Sequence, residues 1–245
     1  MKIALIGYGK MGQAIEQIAL NRGHEIVLKI DINNPHDLTP ENLRKADVAI
    51  EFTVPASAME NYRQCFQAGV PVVSGTTGWL SRKAEVLKEL EQSGGTFFYA
   101  SNFSLGVNLF FVLSKKLAML MENRPEYQVS MEEVHHTQKL DAPSGTAITL
   151  AEDLIGILPG LDSWTIDETG NKQQLKIKAI REGQVPGIHR VIYESDVDHI
   201  LIEHSAKSRQ GFALGAVLAA EFCPGKKGLL NMADLLNLSD NKTNH

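Results

Sequence analysis

Ile3-Ala4-Leu5-Ile6-Gly7-Tyr8-Gly9-Lys10-Met11-Gly12, near the start of the chain, joins a short apolar β-type run to a glycine turn, and Ala14, Ile15, Ile18 and Ala19 then recur at the spacing of a helix face. In a strand, turn and helix of this kind Gly7 permits the tight turn. Gly9 lets the backbone approach a pyrophosphate, and Gly12 lets the helix pack close to the strand. A second β-type run, Glu25 to Ile30, ends at Asp31, roughly twenty residues past the third glycine, where an acid can accept ribose hydroxyls. The same residues also fit a phosphate-free α/β turn with Asp31 as a loop cap, but the order strand, turn, helix, strand, acid favours a dinucleotide site. Asp31 favours NADH, because a 2′-phosphate usually calls for a cation beside the acid and the neighbour here is Ile32. Lys10 in the turn keeps NADPH open.

Further along, the alternation continues. Asp47 to Phe52 reads as a buried strand, Ala56 to Ala68 as a helix, and Val70 to Ser74 as a strand ending in Gly75-Thr76-Thr77-Gly78. Trp79 to Gln92 carries Val86, Leu87 and Leu90 on one helical face, and Thr96 to Ala100 is a strand running into Ser101-Asn102-Phe103. This is the pattern of a Rossmann-type doubly wound parallel sheet, whose strands present ligand sites at their carboxyl ends. Gly75, Thr76 and Thr77 sit at one such end, suited to the nicotinamide side of a cofactor; a plain turn is the other reading.

After Leu105 the grammar changes. Val107 to Met121 is a long apolar helix, Tyr127 to Val134 a strand, and Ala147 to Leu158 a helix; Leu175 to Ile180, Ile188 to Ser195 and His199 to His204 are β-type runs joined by turns. Three strands without intervening helices predict a mainly antiparallel sheet, hence a second α+β domain whose exposed face could pair with copies of the chain. Phe212 to Phe222 and Leu229 to Leu238 read as closing helices, and Ser239 to His245 as a polar, mobile tail. The expected division is residues 1–102, completed by 209–245, for the dinucleotide and 103–208 for substrate binding and oligomerisation.

The densest chemistry lies in that second part: Glu133-Val134-His135-His136-Thr137-Gln138-Lys139-Leu140-Asp141-Ala142-Pro143-Ser144-Gly145-Thr146-Ala147. It reads as a strand end, a loop and a helix start. Ser144 and Thr146 are cap-type residues, and free N–H groups of a first helical turn beside the Lys139 ammonium would receive a carboxylate. Neighbouring residues of an extended chain point to opposite sides, so one of the two histidines should face a pocket more directly. The adjacency of His135 and His136 does not suit a zinc site, and no metal is expected. A structural histidine pair and a solvated lysine are the plain alternative.

Composition narrows the rest. The chain has 245 residues, 43% of them hydrophobic and 22% charged, with a formal net charge of −5, which argues against a nucleic-acid or anionic-membrane partner. Cys65 and Cys223 form no metal or redox motif, so two reduced thiols in the cytoplasm are expected. No apolar run is long enough for a signal peptide or a membrane span.

Taken together, the chain resembles the 4-hydroxy-tetrahydrodipicolinate reductase family, also called dihydrodipicolinate reductase. The likeness rests on Glu133 to His136 with Lys139, Asp141 and Pro143 to Ala147, supported by Gly75 to Gly78, Asn102-Phe103-Ser104-Leu105-Gly106, and Ser208-Arg209 with Phe212-Ala213 and Gly215-Ala216. The resemblance implies an NADH- or NADPH-dependent enzyme of lysine and diaminopimelate biosynthesis, usually a homotetramer built through the second sheet. It implies that His135 is the acid/base and Lys139 the proton donor, with His136, Ser144, Gly145 and Thr146 on the cyclic dicarboxylate substrate. Gly7, Tyr8, Gly9, Lys10, Met11, Gly12, Asp31, Gly75, Thr76, Thr77, Ala100, Ser101, Asn102 and Phe103 match cofactor-contacting positions. Two departures stand out: a glycine turn one residue shorter than in many members, and Thr137-Gln138 where many carry basic residues, which implies a less cationic pocket. Arg209 is a candidate for the domain interface or for a surface ion pair. An aspartate or homoserine-type dehydrogenase would share the first domain but does not call for the His-His to Ser-Gly-Thr run, and a nicotinamide-sensing regulator would not need Lys139 and His135. Domain closure is expected, because cofactor and substrate groups fall in different domains.

Overall fold

The computed structural model describes residues 1–238 other than 168 and 209, so the expectations for Arg209 and for the tail 239–245 lie outside the described residues. Packing divides the chain into two units, Met1–Leu105 with Gln210–His245, and Gly106–Arg209. The first begins with strand β1 (Lys2–Ile6), helix α1 (Lys10–Asn21), β2 (Glu25–Ile30), the single turn α2 (Pro40–Leu43), β3 (Val48–Glu51), α3 (Pro55–Ala68), β4 (Val72–Ser74), α4 (Lys83–Ser93) and β5 (Thr96–Tyr99). The chain then enters the second unit through α5 (Leu105–Met121), β6 (Gln128–His135), α6 (Gly145–Ile155), β7 (Ser163–Thr165), β8 (Gln174–Arg181), β9 (Ile188–Glu194) and β10 (His199–Ser205). It returns to the first unit as α7 (Gln210–Phe222), β11 (Gly228–Leu230) and α8 (Met232–Leu235).

In the first unit the strands lie in the order β11-β5-β4-β3-β1-β2, all parallel to their neighbours. Period-two alternation in β3 splits its side chains between two cores. Val48 and Ile50 pack with Ile15, Ala19, Ala213 and Ala216 from α1 and α7, while Ala49 packs with Tyr62, Cys65 and Phe66 of α3 on the other face. Chain direction along the sheet reverses between β1 and β3, the switch point at whose carboxyl edge such sheets bind ligands.

Two differences from the sequence reading have local causes. Leu229 to Leu238 does not form one helix: Gly228-Leu229-Leu230 pairs with Thr96-Phe97-Phe98 as a sixth strand, and only Met232–Leu235 is helical. The break is chemical. Asn231 accepts from the N–H groups of Ala233 and Asp234, and Asp234 accepts from the Asn231 N–H, a capping box that starts a helix and cannot sit inside one. Trp79 to Gln92 is likewise not continuous, since a 3-10 turn, Leu80–Arg82, precedes α4 while the buried Trp79 ring packs edge-on against Tyr62 and Tyr99.

The second unit is a sheet in the order β10-β9-β6-β8-β7. Its β10–β9 and β9–β6 pairs are antiparallel and its β6–β8 and β8–β7 pairs parallel, because β6 inserts between β8 and β9 and reaches β8 only after the crossover that contains α6. Phe110 and Ala118 of α5 and Leu150 and Leu154 of α6 close one core with Met131, Ile177, Val191 and Tyr193 of the sheet. No helix among the described residues is long and apolar enough to cross a membrane.

The glycine turn shows how closely the first unit is packed. Gly7 has φ +95°, and a Cβ there would lie 2.0 Å from the Phe52 carbonyl oxygen; one on Gly12 would lie 2.3 Å from the Gly7 carbonyl oxygen; one on Gly9 would meet nothing within 4 Å. Gly12→Ala should therefore cost more than about 2 kcal/mol in urea unfolding, whereas Gly9→Ala should cost less than about 1 kcal/mol. Equal losses would show that the turn is not held against α1 as described.

Candidate active site

In the first unit the groups expected to hold a dinucleotide surround the carboxyl edge of the sheet. The Gly7 N–H donates to the Ile30 carbonyl at 2.9 Å, tying the turn to the end of β2, and Gly9 and Lys10 are exposed at the start of α1. The open space at Gly9 beside crowded Gly7 and Gly12 is what a pyrophosphate cradle needs: backbone N–H groups that a phosphate can reach at a helix N-terminus. Met11 turns back onto the core, and the Tyr8 hydroxyl donates to Glu16, whose carboxylate also pairs with Lys29 at 2.5 Å. Asp31 accepts from the Asn33 N–H at 2.6 Å while its own N–H donates to Asn34 Oδ1 at 2.8 Å, so the carboxylate is presented by a turn of its own making.

The loops after β4 and β5 complete that edge. Thr77 is exposed and Thr76 buried; of Ala100 to Phe103, Ser101 is exposed, Asn102 accepts from the Ser104 N–H, and the Phe103 ring lies in the core at 5.6 Å from Phe52 and 5.8 Å from Phe98. Phe103 thus has little but backbone to offer a ligand.

In the second unit, strand register builds the site. Glu133 and His135 lie two apart on β6 and share a face; Glu133 is paired across the sheet with His189 of β9, and His135 with Arg181 of β8. The Glu133 carboxylate is fully buried, and it accepts from the Ser144 N–H at 3.0 and 3.2 Å and from Arg181 Nη2 at 3.0 Å. Arg181 also donates to the carbonyls of Asp141 (2.6 Å) and Lys139 (3.3 Å), which fastens the loop to the sheet. Lys139 Nζ reaches both Asp141 oxygens at 2.7 Å. Ser144 caps α6, its hydroxyl accepting from the Ala147 N–H and meeting His189 Nε2 at 3.1 Å, so this expected substrate residue is only 3% exposed and engaged internally. Gly145, the first residue of α6, is exposed, with space where a side chain would be. β6 ends at His135, which is buried, and His136 follows half-buried outside the strand.

The electrostatics follow from burial. Burial pushes the His189 imidazole down to about 4, helped by nearby His135, and it lowers His135 too, with Lys139 and Arg181 adding to the fall and Glu133 opposing it. Burial alone would raise Glu133; the bonds from Ser144 and Arg181 overcome it and hold the carboxylate below the usual range. Both histidines are therefore neutral at pH 7, able to take up a proton or pass one on. Among the described residues neither Nδ1 has a hydrogen-bond partner, although Glu133 Oε2 lies 3.5 Å from that of His135. Glu133, His135 and His189 present ligand-type atoms within 4.8 Å of one another, but the carboxylate is already satisfied by a guanidinium and an N–H, which suits an internal ion pair better than a bound cation.

Glu133, Arg181 and His189 carry none of the roles assigned from the sequence. Glu133 could have been noticed as an acid two residues before His135 on the same strand face. Arg181 and His189 had no local signal, because only the β8–β6–β9 register brings them in.

A glycine turn at the ligand edge of a parallel sheet in one unit, with histidine, lysine and arginine gathered at one end of the sheet in the other, fits an oxidoreductase that works with NADH or NADPH on a small molecule. The particular family follows from comparison. Residues 1–103 match the model for dihydrodipicolinate reductase, N-terminus, and residues 106–236 that for dihydrodipicolinate reductase, C-terminus. The chain is 52% identical over 239 residues to 4-hydroxy-tetrahydrodipicolinate reductase of Christiangramia forsetii, covering 97% of this chain and 98% of that protein. It is 36% identical to the Staphylococcus aureus enzyme of the same name, over 90% of this chain and 94% of the other. A solved dipicolinate-bound dihydrodipicolinate reductase from Paenisporosarcina sp. TG-14 shares the fold with a TM-score of 0.76 at 24% identity, covering 96% of this chain and 98% of that one. The chain belongs to the dihydrodipicolinate reductase family.

The depressed histidines give stability a definite pH dependence. A group whose folded pKa lies below its unfolded value contributes stability above the unfolded value, and that contribution is lost as pH falls towards the folded one. For His189 the window runs from 6.5 down to about 4, worth on the order of 3 kcal/mol. Thermal unfolding should show a falling midpoint across that window, and His189→Asn should flatten the fall; an unchanged slope in the variant would contradict a buried neutral His189.

Proposed function

We propose that this chain reduces 4-hydroxy-tetrahydrodipicolinate to tetrahydrodipicolinate with loss of water, in lysine and diaminopimelate biosynthesis. The observation that carries the reading is the meeting of Lys139, Arg181, His135 and the start of α6 at one end of the second sheet, a place suited to a dicarboxylate whose ring gains charge over C3 and the ring nitrogen and then takes a proton at C3.

Gly7 to Gly12 and Asp31 are the residues to hold the pyrophosphate and adenosine ribose, with Gly75 to Thr77 and Ala100 to Phe103 towards the nicotinamide. When bound, NADH or NADPH supplies the hydride. The protein's own contribution is electrostatic. Reduction at C4 of a conjugated imine spreads electron density over C3 and the ring nitrogen, and the Lys139 ammonium stabilises it and delivers a proton to C3, which restores the C=N bond of the product. In the free protein Asp141 is the counter-ion that aims this ammonium, and the cation keeps the Asp141 carboxyl below the usual range. His135, neutral and buried beside Glu133, orients or relays the proton. Gly145 and Thr146 receive one substrate carboxylate at the helix start, with His136 alongside. Arg181 acts through the loop, fixing the backbone of Lys139 and Asp141.

The assembly is a homotetramer formed through the second sheet. Its support is β10, the edge strand of the second sheet among the described residues, where Ile200 and Leu201 are exposed apolar residues. A cytoplasmic location fits two buried free thiols.

In a coupled assay with freshly made cyclic substrate, comparing NADH with NADPH, Lys139→Ala should lower turnover by about a hundredfold or more while the NADH dissociation constant stays within about twofold. Near-normal turnover would remove Lys139 from the chemistry. Leu201→Glu should yield a smaller, still folded species in light scattering; an unchanged mass would place the interface elsewhere.

A further inference from the structure

We propose that Glu51, at the end of β3, is a positioning residue that sets the two loops receiving the nicotinamide half of the cofactor. The inference rests on the dinucleotide reading above. If the turn after β1 takes the pyrophosphate and Asp31 after β2 takes the adenosine ribose, the other nucleoside half runs across the switch point to the loops after β3 and β4, because the sheet order is β4-β3-β1-β2.

Glu51 lies underneath those loops. It is fully buried, and no cation is among the groups bonded to it. Four donors converge on the carboxylate: Thr53 Oγ1, Thr76 Oγ1 (2.8 Å) and Asn61 Nδ2 (3.3 Å) at Oε1, and Ser74 Oγ (2.7 Å) at Oε2. The same hydroxyls also accept, and Ser74 Oγ meets the Tyr62 hydroxyl at 2.7 Å as well. Thr76 Oγ1 already accepts from the Thr53 N–H at 2.8 Å, Thr53 Oγ1 from Asn61 Nδ2 at 3.1 Å, and Ser74 Oγ from the Thr76 N–H at 3.3 Å. Each hydroxyl gives its one proton to Glu51. The carboxylate is thus the common acceptor through which the Thr53 loop and the Gly75-Thr76-Thr77 loop are held in register with each other, and the Gly75 N–H adds a bond to the Glu51 carbonyl at 3.0 Å.

Burial pushes the Glu51 carboxyl above the usual carboxylate range, and the bonds from Thr53, Ser74, Thr76 and Asn61 oppose that rise. An apolar residue would pack this position beneath a β-sheet more simply. A satisfied polar cluster at a sheet's ligand edge instead fixes one geometry for the backbone above it. The loop is also closed from the side, since a Cβ on Gly75 would strike the Phe52 ring at 2.1 Å and Trp79 Nε1 donates to the Thr76 carbonyl at 2.8 Å.

The test is calorimetric binding of NADH and of ADP-ribose, which lacks the nicotinamide, to the full chain. Glu51→Gln puts an amide donor where the carboxylate accepted from Thr53, Ser74 and Thr76. It should weaken NADH by about tenfold or more while ADP-ribose stays within about twofold. Equal weakening of both ligands, as a general loosening of the fold would give, or unchanged NADH affinity, overturns the proposal. Should Glu51→Gln prove insoluble, Ser74→Ala removes a single donor and decides the matter in the same way, with NADH weakened by about threefold and ADP-ribose unchanged, or the proposal fails. Gly9→Asp separates the underlying reading: it should weaken both ligands together, and wild-type binding of both in that variant overturns the dinucleotide assignment itself, whatever Glu51 does.

Discussion

A buried carboxylate with no water to solvate it must be paired, and Glu133 is paired with two groups that would otherwise have no reason to be near each other. Arg181 comes from a strand separated from Glu133 by 48 residues, and the Ser144 N–H comes from the start of a helix. Because Arg181 also holds the carbonyls of Lys139 and Asp141, one ionic centre sets the end of β6, the path of the loop and the position of the α6 N-terminus. Lys139 and the start of α6 are then displayed by a support whose carboxylate is itself bonded. Removing either partner would leave a charge stranded in a low-dielectric interior, which costs far more than a surface ion pair.

The first unit uses a different kind of constraint for the same end. Its turn after β1 is fixed by contact distance, with α1 pressed so close to the Gly7 carbonyl that no side chain fits at Gly12. What remains open is Gly9, where a Cβ would meet nothing within 4 Å, so steric crowding on two sides leaves one uncovered stretch of backbone at the start of α1. Beneath the neighbouring loops, Glu51 and its hydroxyls supply the polar counterpart of that crowding. Both units therefore present flexible-looking loops that are anchored from below by groups a ligand would not touch.

Much of this organisation was legible in the sequence. The glycine spacing, the alternation of strands and helices up to Phe103, and the loss of that alternation after Leu105 all depend on residues a few positions apart, as did the helix start at Ser144. Misjudged stretches were those where a partner outweighed local pattern. Leu229 and Leu230 look helical until Phe97 and Phe98 offer a free strand edge. Ser144 read as a residue open to substrate, whereas a buried acid and a buried histidine from distant strands take up its polar atoms.

By itself the sequence determined the two kinds of sheet, the glycine turn with its acid, and the run from Glu133 to Ala147 in which the titratable groups are concentrated, because periodicity, capping and turn chemistry act over a turn of helix or a pair of strand residues. Only the tertiary structure decided that Arg181 and His189 join Glu133 and His135, that Phe103 turns into the core, and that Glu51 gathers four donors. The physical reason is register: whether residues on separate strands face one another is set by the packing of whole sheets, and a shift of one residue would send every one of these side chains to the opposite face.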